Sequence, residues 1–256
     1  MSEMIIAAQL YTLREHLQTP EEIDESLKKV KDMGYNAVQV SGLGEIKPEK
    51  LKEIVDKYDL KICATHISFD RLQNDLEAVI NEHKLWDCKY VGLGAMPREY
   101  AGSKEGFQKF AQEANKIARE LKKNDLQFIY HNHNFEFNKF DDKIGLQILF
   151  EETDPEVFDF EIDTYWIQAG GGDPVYWINK MEDRMKVVHF KDMTVDGWEP
   201  IMAEVGEGNL NWPKIVEACK EIGVEWCAVE QDKCQRSPFE SLEISLNNLK
   251  DMGLKA

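Results

Sequence analysis

Residues 158–192, FDFEIDTYWIQAGGGDPVYWINKMEDRMKVVHFKD, hold a short β-rich run, a turn, a helical pattern and a second β-rich run. In FDFEIDTYW, Phe160 and Ile162 alternate with Glu161 and Asp163, the two-residue period of a strand. Gly170, Gly171 and Gly172 break that pattern, and Asp173-Pro174 reads as a helix N-cap followed by the first helical residue. MKVVHFKD then opens another strand. A strand, a crossover helix and a second strand are the unit of a parallel sheet.

The same unit recurs in both directions from this stretch. The other β-rich runs are IIAAQLY, NAVQVSG, KICATHIS, YVGLGAM, QFIYHNH and EWCAVEQD, which makes eight with the two above. Helical patterns separate them, among them PEEIDESLKKVKDMG, PEKLKEIVDKYD, FQKFAQEANKIARELKKND and WPKIVEACKEIG. Pro20 and Pro48 suit first-turn positions and Gly34 suits a C-cap. Eight units without a GxGxxG fingerprint favour a closed barrel over an open doubly wound sheet. The length of 256 residues matches one such barrel, and no linker or low-complexity run divides it. The expectation is an α/β protein, a single (β/α)8 TIM barrel over residues 1–256 as one domain.

Composition narrows the partners. There are 31 basic and 48 acidic side chains, a formal charge of −17, which argues against nucleic acid or an anionic membrane surface as partner. No run approaches the roughly 20 apolar residues of a spanning helix, and MSEMIIAAQLYTLREH lacks a basic leader segment. Cys63, Cys88, Cys219, Cys227 and Cys234 show no CxxC spacing and read as free thiols, so a cytoplasmic protein is expected. His16 and His83 carry no partner pattern and are expected at the surface.

A barrel places its reactive groups at the C-terminal ends of its strands. Polar residues stand there at every second position, where a barrel interior is normally Val, Ile or Leu. Strand five offers His131 and His133, strand six Glu161 and Asp163, strand seven His189 and Lys191, and strand eight Glu230 and Asp232. Strand three ends in His66, and Gln9 takes the same place on strand one. Any one of these is more commonly a hydrogen-bonded structural group. Carboxylates and imidazoles from so many strands converging on one mouth need a compensating cation, because an unpaired buried charge costs several kcal/mol. The donor mixture suits a divalent ion, with Mn²⁺ expected and Zn²⁺, Co²⁺ or Mg²⁺ as alternatives.

QLYTLRE, THISFD, YHNHNFEF, EIDTYW, HFKDM, EVGEGNLNW and AVEQD together resemble the sugar phosphate isomerase/epimerase family, the xylose-isomerase-like barrels. The resemblance runs strand by strand over nearly the whole chain and is specific for the superfamily rather than for one substrate. It implies metal ligands at the ends of strands five to eight. Asp163, His189 and Glu230 match the family's pattern, whereas its usual Glu-Asn-His on strand five appears as His131-Asn132-His133. Inosose dehydratase has a related histidine-rich strand five. Either His131 is the fourth ligand or Glu136 reaches back to the metal; His131 is favoured, with Glu136 in a loop suited to holding substrate.

The chemistry this implies is metal-assisted proton transfer beside a carbonyl, through an enediolate, as in sugar isomerases and epimerases. Glu230 is the expected base. A histidine in place of the second carboxylate puts a symmetric two-base scheme in doubt. Lys191, whose pKa is expected to fall beside a metal, is the candidate acid or oxyanion partner, with charge balance for Glu161 or Asp232 as its simpler role. Gln9, His66, His133, Glu136, Trp166 and Asp232 are expected to bind substrate, Trp166 as a platform for a sugar face. A lyase acting on a keto-inositol or 3-keto-glycoside by β-elimination is the alternative, and a non-catalytic sugar-binding barrel the third. EVGEGNLNWP carries Glu204 and Glu207 but no Lys or Arg, which leaves Arg236 as the nearest phosphate candidate. An unphosphorylated sugar or polyol is therefore the expected small-molecule partner; no nucleic acid or membrane is expected, and a homo-oligomer is compatible with the chain.

Overall fold

The computed structural model describes residues 3–256. Eight parallel strands close into one barrel: β1 (Ile5–Gln9), β2 (Ala37–Val40), β3 (Lys61–His66), β4 (Tyr90–Leu93), β5 (Gln127–His131), β6 (Phe158–Asp163), β7 (Val187–Phe190) and β8 (Trp226–Val229). Each strand pairs with its sequence neighbour, and β1 pairs with β8 to complete the ring. The connecting helices are α1 (Pro20–Met33), α2 (Pro48–Lys57), α3 (Phe69–Asn74), α4 (Leu76–Trp86), α5 (Lys104–Lys122), α6 (Gly145–Glu152), α7 (Thr164–Ala169), α8 (Pro174–Met181), α9 (Trp212–Glu221) and α10 (Pro238–Asp251). The (β/α)8 TIM barrel expected from strand–helix alternation is the observed fold.

Local chemistry fixes the helix starts. Thr19 and Glu22 form a reciprocal capping box ahead of Pro20, and Gly34 ends α1 at φ 105° in the left-handed region. Asp173 accepts from the Val175 and Tyr176 N–H groups at the start of α8, as its sequence context implied. The helices pack a large apolar layer, including Leu27, Phe110, Phe128, Phe160 and Leu246, against the outside of the sheet.

Inside the barrel the layers differ in chemistry. The lower layer is mostly apolar: Ala7, Ala37, Cys63, Ile129 and Val187, with Tyr90 beside them. Two residues further along the same strands stand Gln9, Gln39, His131 and His189, so the period of the strand carries polar groups to the C-terminal mouth. His83, expected at the surface, is fully buried. Its Nδ1 lies 2.7 Å from the Val79 carbonyl and its Nε2 2.8 Å from Thr65 Oγ1. Burial pushes its pKa down to about 4, so it is a neutral core residue.

Candidate metal and substrate site

The mouth gathers His131, Asp163, His189 and Glu230, all buried, with one donor atom from each within 4.8 Å of the others. His131 Nε2 lies 3.3 Å from Asp163 Oδ2. His189 Nδ1 lies 3.2 Å from Glu230 Oε2 and 3.8 Å from Asp163 Oδ2. Donors bound at about 2.0–2.2 Å to one tetrahedral or octahedral ion stand about 3–3.5 Å apart, so the spacing fits a single divalent cation.

The outward atoms of His131, Asp163 and His189 are already engaged. His131 Nδ1–H donates to the Gly94 carbonyl at 3.0 Å, and His189 Nε2–H donates to Gln39 Oε1 at 2.8 Å. Each imidazole thus turns its other nitrogen inward, the arrangement metal-binding histidines adopt. Asp163 Oδ1 accepts from the Trp166 N–H at 2.9 Å, which leaves Oδ2 to face the cluster. These observations are what a divalent ion requires of His131, Asp163, His189 and Glu230.

Lys191 enters the same cluster, fully buried. Its Nζ lies 2.9 Å from Asp163 Oδ2, 2.6 Å from Glu230 Oε2 and 2.6 Å from Asp232 Oδ2. Burial opposes its charge, but the three carboxylates outweigh burial and hold its pKa well above the ordinary lysine value. Lys191 is therefore a cationic member of the cluster, paired with Asp232 as well as with Asp163 and Glu230. His189 likewise is raised to about 10, because Glu161 and Glu230 overcome the effect of burial.

Glu161 is the residue the sequence reading placed on the right face but gave no role. Fully buried, it accepts from His66 Nε2 at 2.6 Å and from Gln39 Nε2 at 2.8 Å. Burial would raise its pKa, yet His189 and His66 hold it well below the carboxylate range. Burial lowers the pKa of His66, so a neutral ring donates Nε2–H to ionised Glu161 and keeps a lone pair on Nδ1. A Cβ on Gly94 would come 2.8 Å from that nitrogen; the missing side chain leaves Nδ1 room.

A cavity of about 520 Å³ opens above the cluster, lined among others by Tyr11, His66, Phe69, Asp70, Leu93, His131, His133, Glu230 and Asp232. Among the described residues no Lys or Arg lines it. Three expected substrate ligands are not on the cavity wall. Glu136 is fully buried, its two oxygens accepting from Tyr130 Oη at 2.6 Å and the His133 N–H at 2.9 Å. It folds back beneath the strand instead of facing substrate or metal. Gln9 is fully buried and its Oε1 accepts from the Tyr11 N–H. Trp166 packs its ring 5.2 Å from that of His133, with Lys191 Nζ 5.4 Å from its centroid, behind the cavity lining. Asp192, just after Lys191, accepts from the Gly206, Gly208 and Trp212 donors and so ties the EVGEGNLNW loop to the end of β7.

Residues 27–252 match the family model described as the xylose isomerase-like TIM barrel. The chain belongs to that family. An inosose dehydratase of Lacticaseibacillus casei is 22% identical over 261 residues, covering 85% of each chain. An inosose dehydratase of Geobacillus kaustophilus is 26% identical over 208 residues, covering 71% of this chain and 65% of its own. A sugar phosphate isomerase/epimerase from Parabacteroides distasonis superposes with a TM-score of 0.79 at 25% identity, covering 97% of this chain and 98% of the other. An L-ribulose 3-epimerase shares the fold with a TM-score of 0.73 at 14% identity, over 99% and 95% of the two chains.

Proposed function

We propose that the protein is a divalent-metal-dependent enzyme that removes a proton beside the carbonyl of a keto-polyol and then expels a β-hydroxyl, a dehydratase-type lyase. The observation that carries this reading is the contact of 2.6 Å between Lys191 Nζ and Glu230 Oε2 at the mouth. It sets a carboxylate base beside a charged acid, while strand five supplies His131 where a second carboxylate is needed for symmetric two-base chemistry. Dehydratase relatives support the reading.

His131, Asp163, His189 and Glu230 hold the ion. When bound, it supplies positive charge that stabilises an oxyanion developing at the substrate carbonyl. Glu230 takes the α-proton on the oxygen not turned to the ion, and Lys191 passes a proton to the leaving hydroxyl through Asp232, which lines the cavity. His66, oriented by Glu161, accepts from a substrate hydroxyl through Nδ1. Asp70, Glu230 and Asp232 make the cavity acidic, which suits a neutral sugar or cyclitol over a phosphorylated one. The five free thiols suit a cytoplasmic setting.

The second reading, an isomerase or epimerase, has its own support. The His66–Glu161 pair gives a neutral imidazole on a different wall from Glu230, a second position for proton transfer. The test is incubation with Mn²⁺ and a panel of ketoses and inososes in D₂O. Loss of water marks the lyase; deuterium at an α-carbon of an isomerised or epimerised sugar marks the second reading. No exchange with any substrate overturns both.

A further inference from the structure

Gln39 stands in an apolar run, AVQV, yet it is fully buried at the centre of the mouth. Both ends of its amide are used. Nε2 donates to Glu161 Oε1 at 2.8 Å, and Oε1 accepts from His189 Nε2–H at 2.8 Å. The orientation is fixed by chemistry, since the end that faces a carboxylate must be the NH₂ group. The opposite end is then an acceptor, and it requires a proton on His189 Nε2. The neutral imidazole is left with its lone pair on Nδ1, the nitrogen that faces Asp163 and Glu230.

The backbone is adjusted at the same point. Pairing between β2 and β3 shifts register between Val38 and Gln39, with partners passing from Ile62 to Ala64. Such irregularities re-aim a side chain and are common beside active sites. Here the shift coincides with the residue that reaches His189.

We propose that Gln39 is a positioning residue that selects the inward nitrogen of His189, gripping its Nε2–H with one end of the amide while the other end is anchored on Glu161. The inference rests on the metal reading given above. It makes no contact with substrate necessary. Glu161 acts on the metal cluster through Gln39 and more weakly through its own Oε1, 3.4 Å from His189 Nε2, as well as on His66, so one buried carboxylate helps orient two imidazoles.

The test uses Zn²⁺, which is diamagnetic, on full-length protein labelled with ¹⁵N-histidine. In the wild type, His189 shows a slowly exchanging Nε2 proton and a metal-shifted Nδ1. Gln39→Met, similar in size but unable to accept or donate in this way, weakens Zn²⁺ binding in chelator competition about 10–100-fold, the range for losing an outer hydrogen bond to a metal-bound histidine. It also exposes the Nε2 proton to exchange. Gln39→Glu, protonated on the oxygen that faces Glu161, keeps both a donor and an acceptor and retains the protected proton. If Gln39→Met keeps wild-type affinity and a protected proton, the amide only fills space and the proposal is overturned. Should the methionine variant fail to fold, wild-type ¹⁵N shifts that place the Zn²⁺ on His189 Nε2 overturn it equally. A wild type that binds neither Zn²⁺ nor Mn²⁺ overturns the metal reading itself, a different outcome from either.

Discussion

Lys191 Nζ lies 2.9 Å from Asp163 Oδ2 and 2.6 Å from Glu230 Oε2, the same two oxygens that converge with His131 and His189. Ammonium and metal ion therefore compete for one pair of carboxylates. Like unit charges 4 Å apart repel by about 4 kcal/mol at an effective dielectric of 20. Lys191→Met is expected to tighten Mn²⁺ binding by about tenfold or more while abolishing turnover. Titration calorimetry showing equal or weaker Mn²⁺ binding in the variant would contradict the competition.

The metal set itself is tested by removal. Alanine at His131, Asp163, His189 or Glu230 is expected to lower metal affinity by about two orders of magnitude or more, with the barrel intact by circular dichroism. Glu136→Ala should keep its metal, because both Glu136 oxygens are committed to Tyr130 and His133. Stoichiometric metal by elemental analysis in Glu230→Ala, or its loss in Glu136→Ala, sinks the assignment.

Metal binding should also release a proton. His189 is raised to about 10 in the metal-free protein, against an ordinary value of 6.5, by Glu161 and Glu230 working against burial. The proton on Nδ1 must leave before that nitrogen can coordinate. Apparent affinity should therefore climb about tenfold per pH unit between pH 6 and 8. Mn²⁺ titrations giving a flat profile over that window would refute the raised value.

Glu136 gives a separate pH signature, in stability. Burial raises its carboxyl from 4.5 to about 8, although Tyr130 and backbone N–H groups pull the other way. Between those values the folded state holds a proton that the unfolded chain has lost. Stability therefore falls as pH rises from about 4.5 to about 8. Glu136→Gln removes this slope, so its melting temperature should gain on the wild type between pH 5 and pH 9. A constant difference across that range would show that the group does not titrate this way.

Gly94 can be probed sterically. A methyl there would come 2.8 Å from His66 Nδ1 and force the ring to shift. Gly94→Ala is expected to raise KM several-fold or more with metal affinity little changed. Wild-type kinetics in this variant would remove His66 from substrate contact.

The barrel was readable because its strands are short β-rich runs bounded by turn residues; alternation brought His131, Asp163, His189 and Glu230 to one side together with His133, Glu161, Lys191 and Asp232, and the family resemblance singled out the four as candidate ligands. What escaped the reading depends on contacts between distant segments. Gln39 looks like a stray amide in AVQV; its parity with Gln9 at the end of the neighbouring strand was the available signal. Glu136 follows strand five in a loop-like stretch, and nothing local shows that the 3-10 turn Phe135–Phe137 carries it back under Tyr130. His83 could have been found. It lies four residues after Val79 and three before Trp86, on the buried stripe of α4.

The four candidate ligands come from the C-terminal ends of β5 to β8, whereas Tyr11, Ser41, Ile67, Phe69, Gly94 and Pro97 of the cavity wall come from the connections after β1 to β4. The chain is thus split between an anchor half and a selector half, joined where Gln39 and His66 reach across to Glu161. Under the proposed function, changes confined to these wall residues would reshape which polyol is admitted and leave the candidate ligands in place. A barrel wired in this way can diversify its diet without reinventing its reaction.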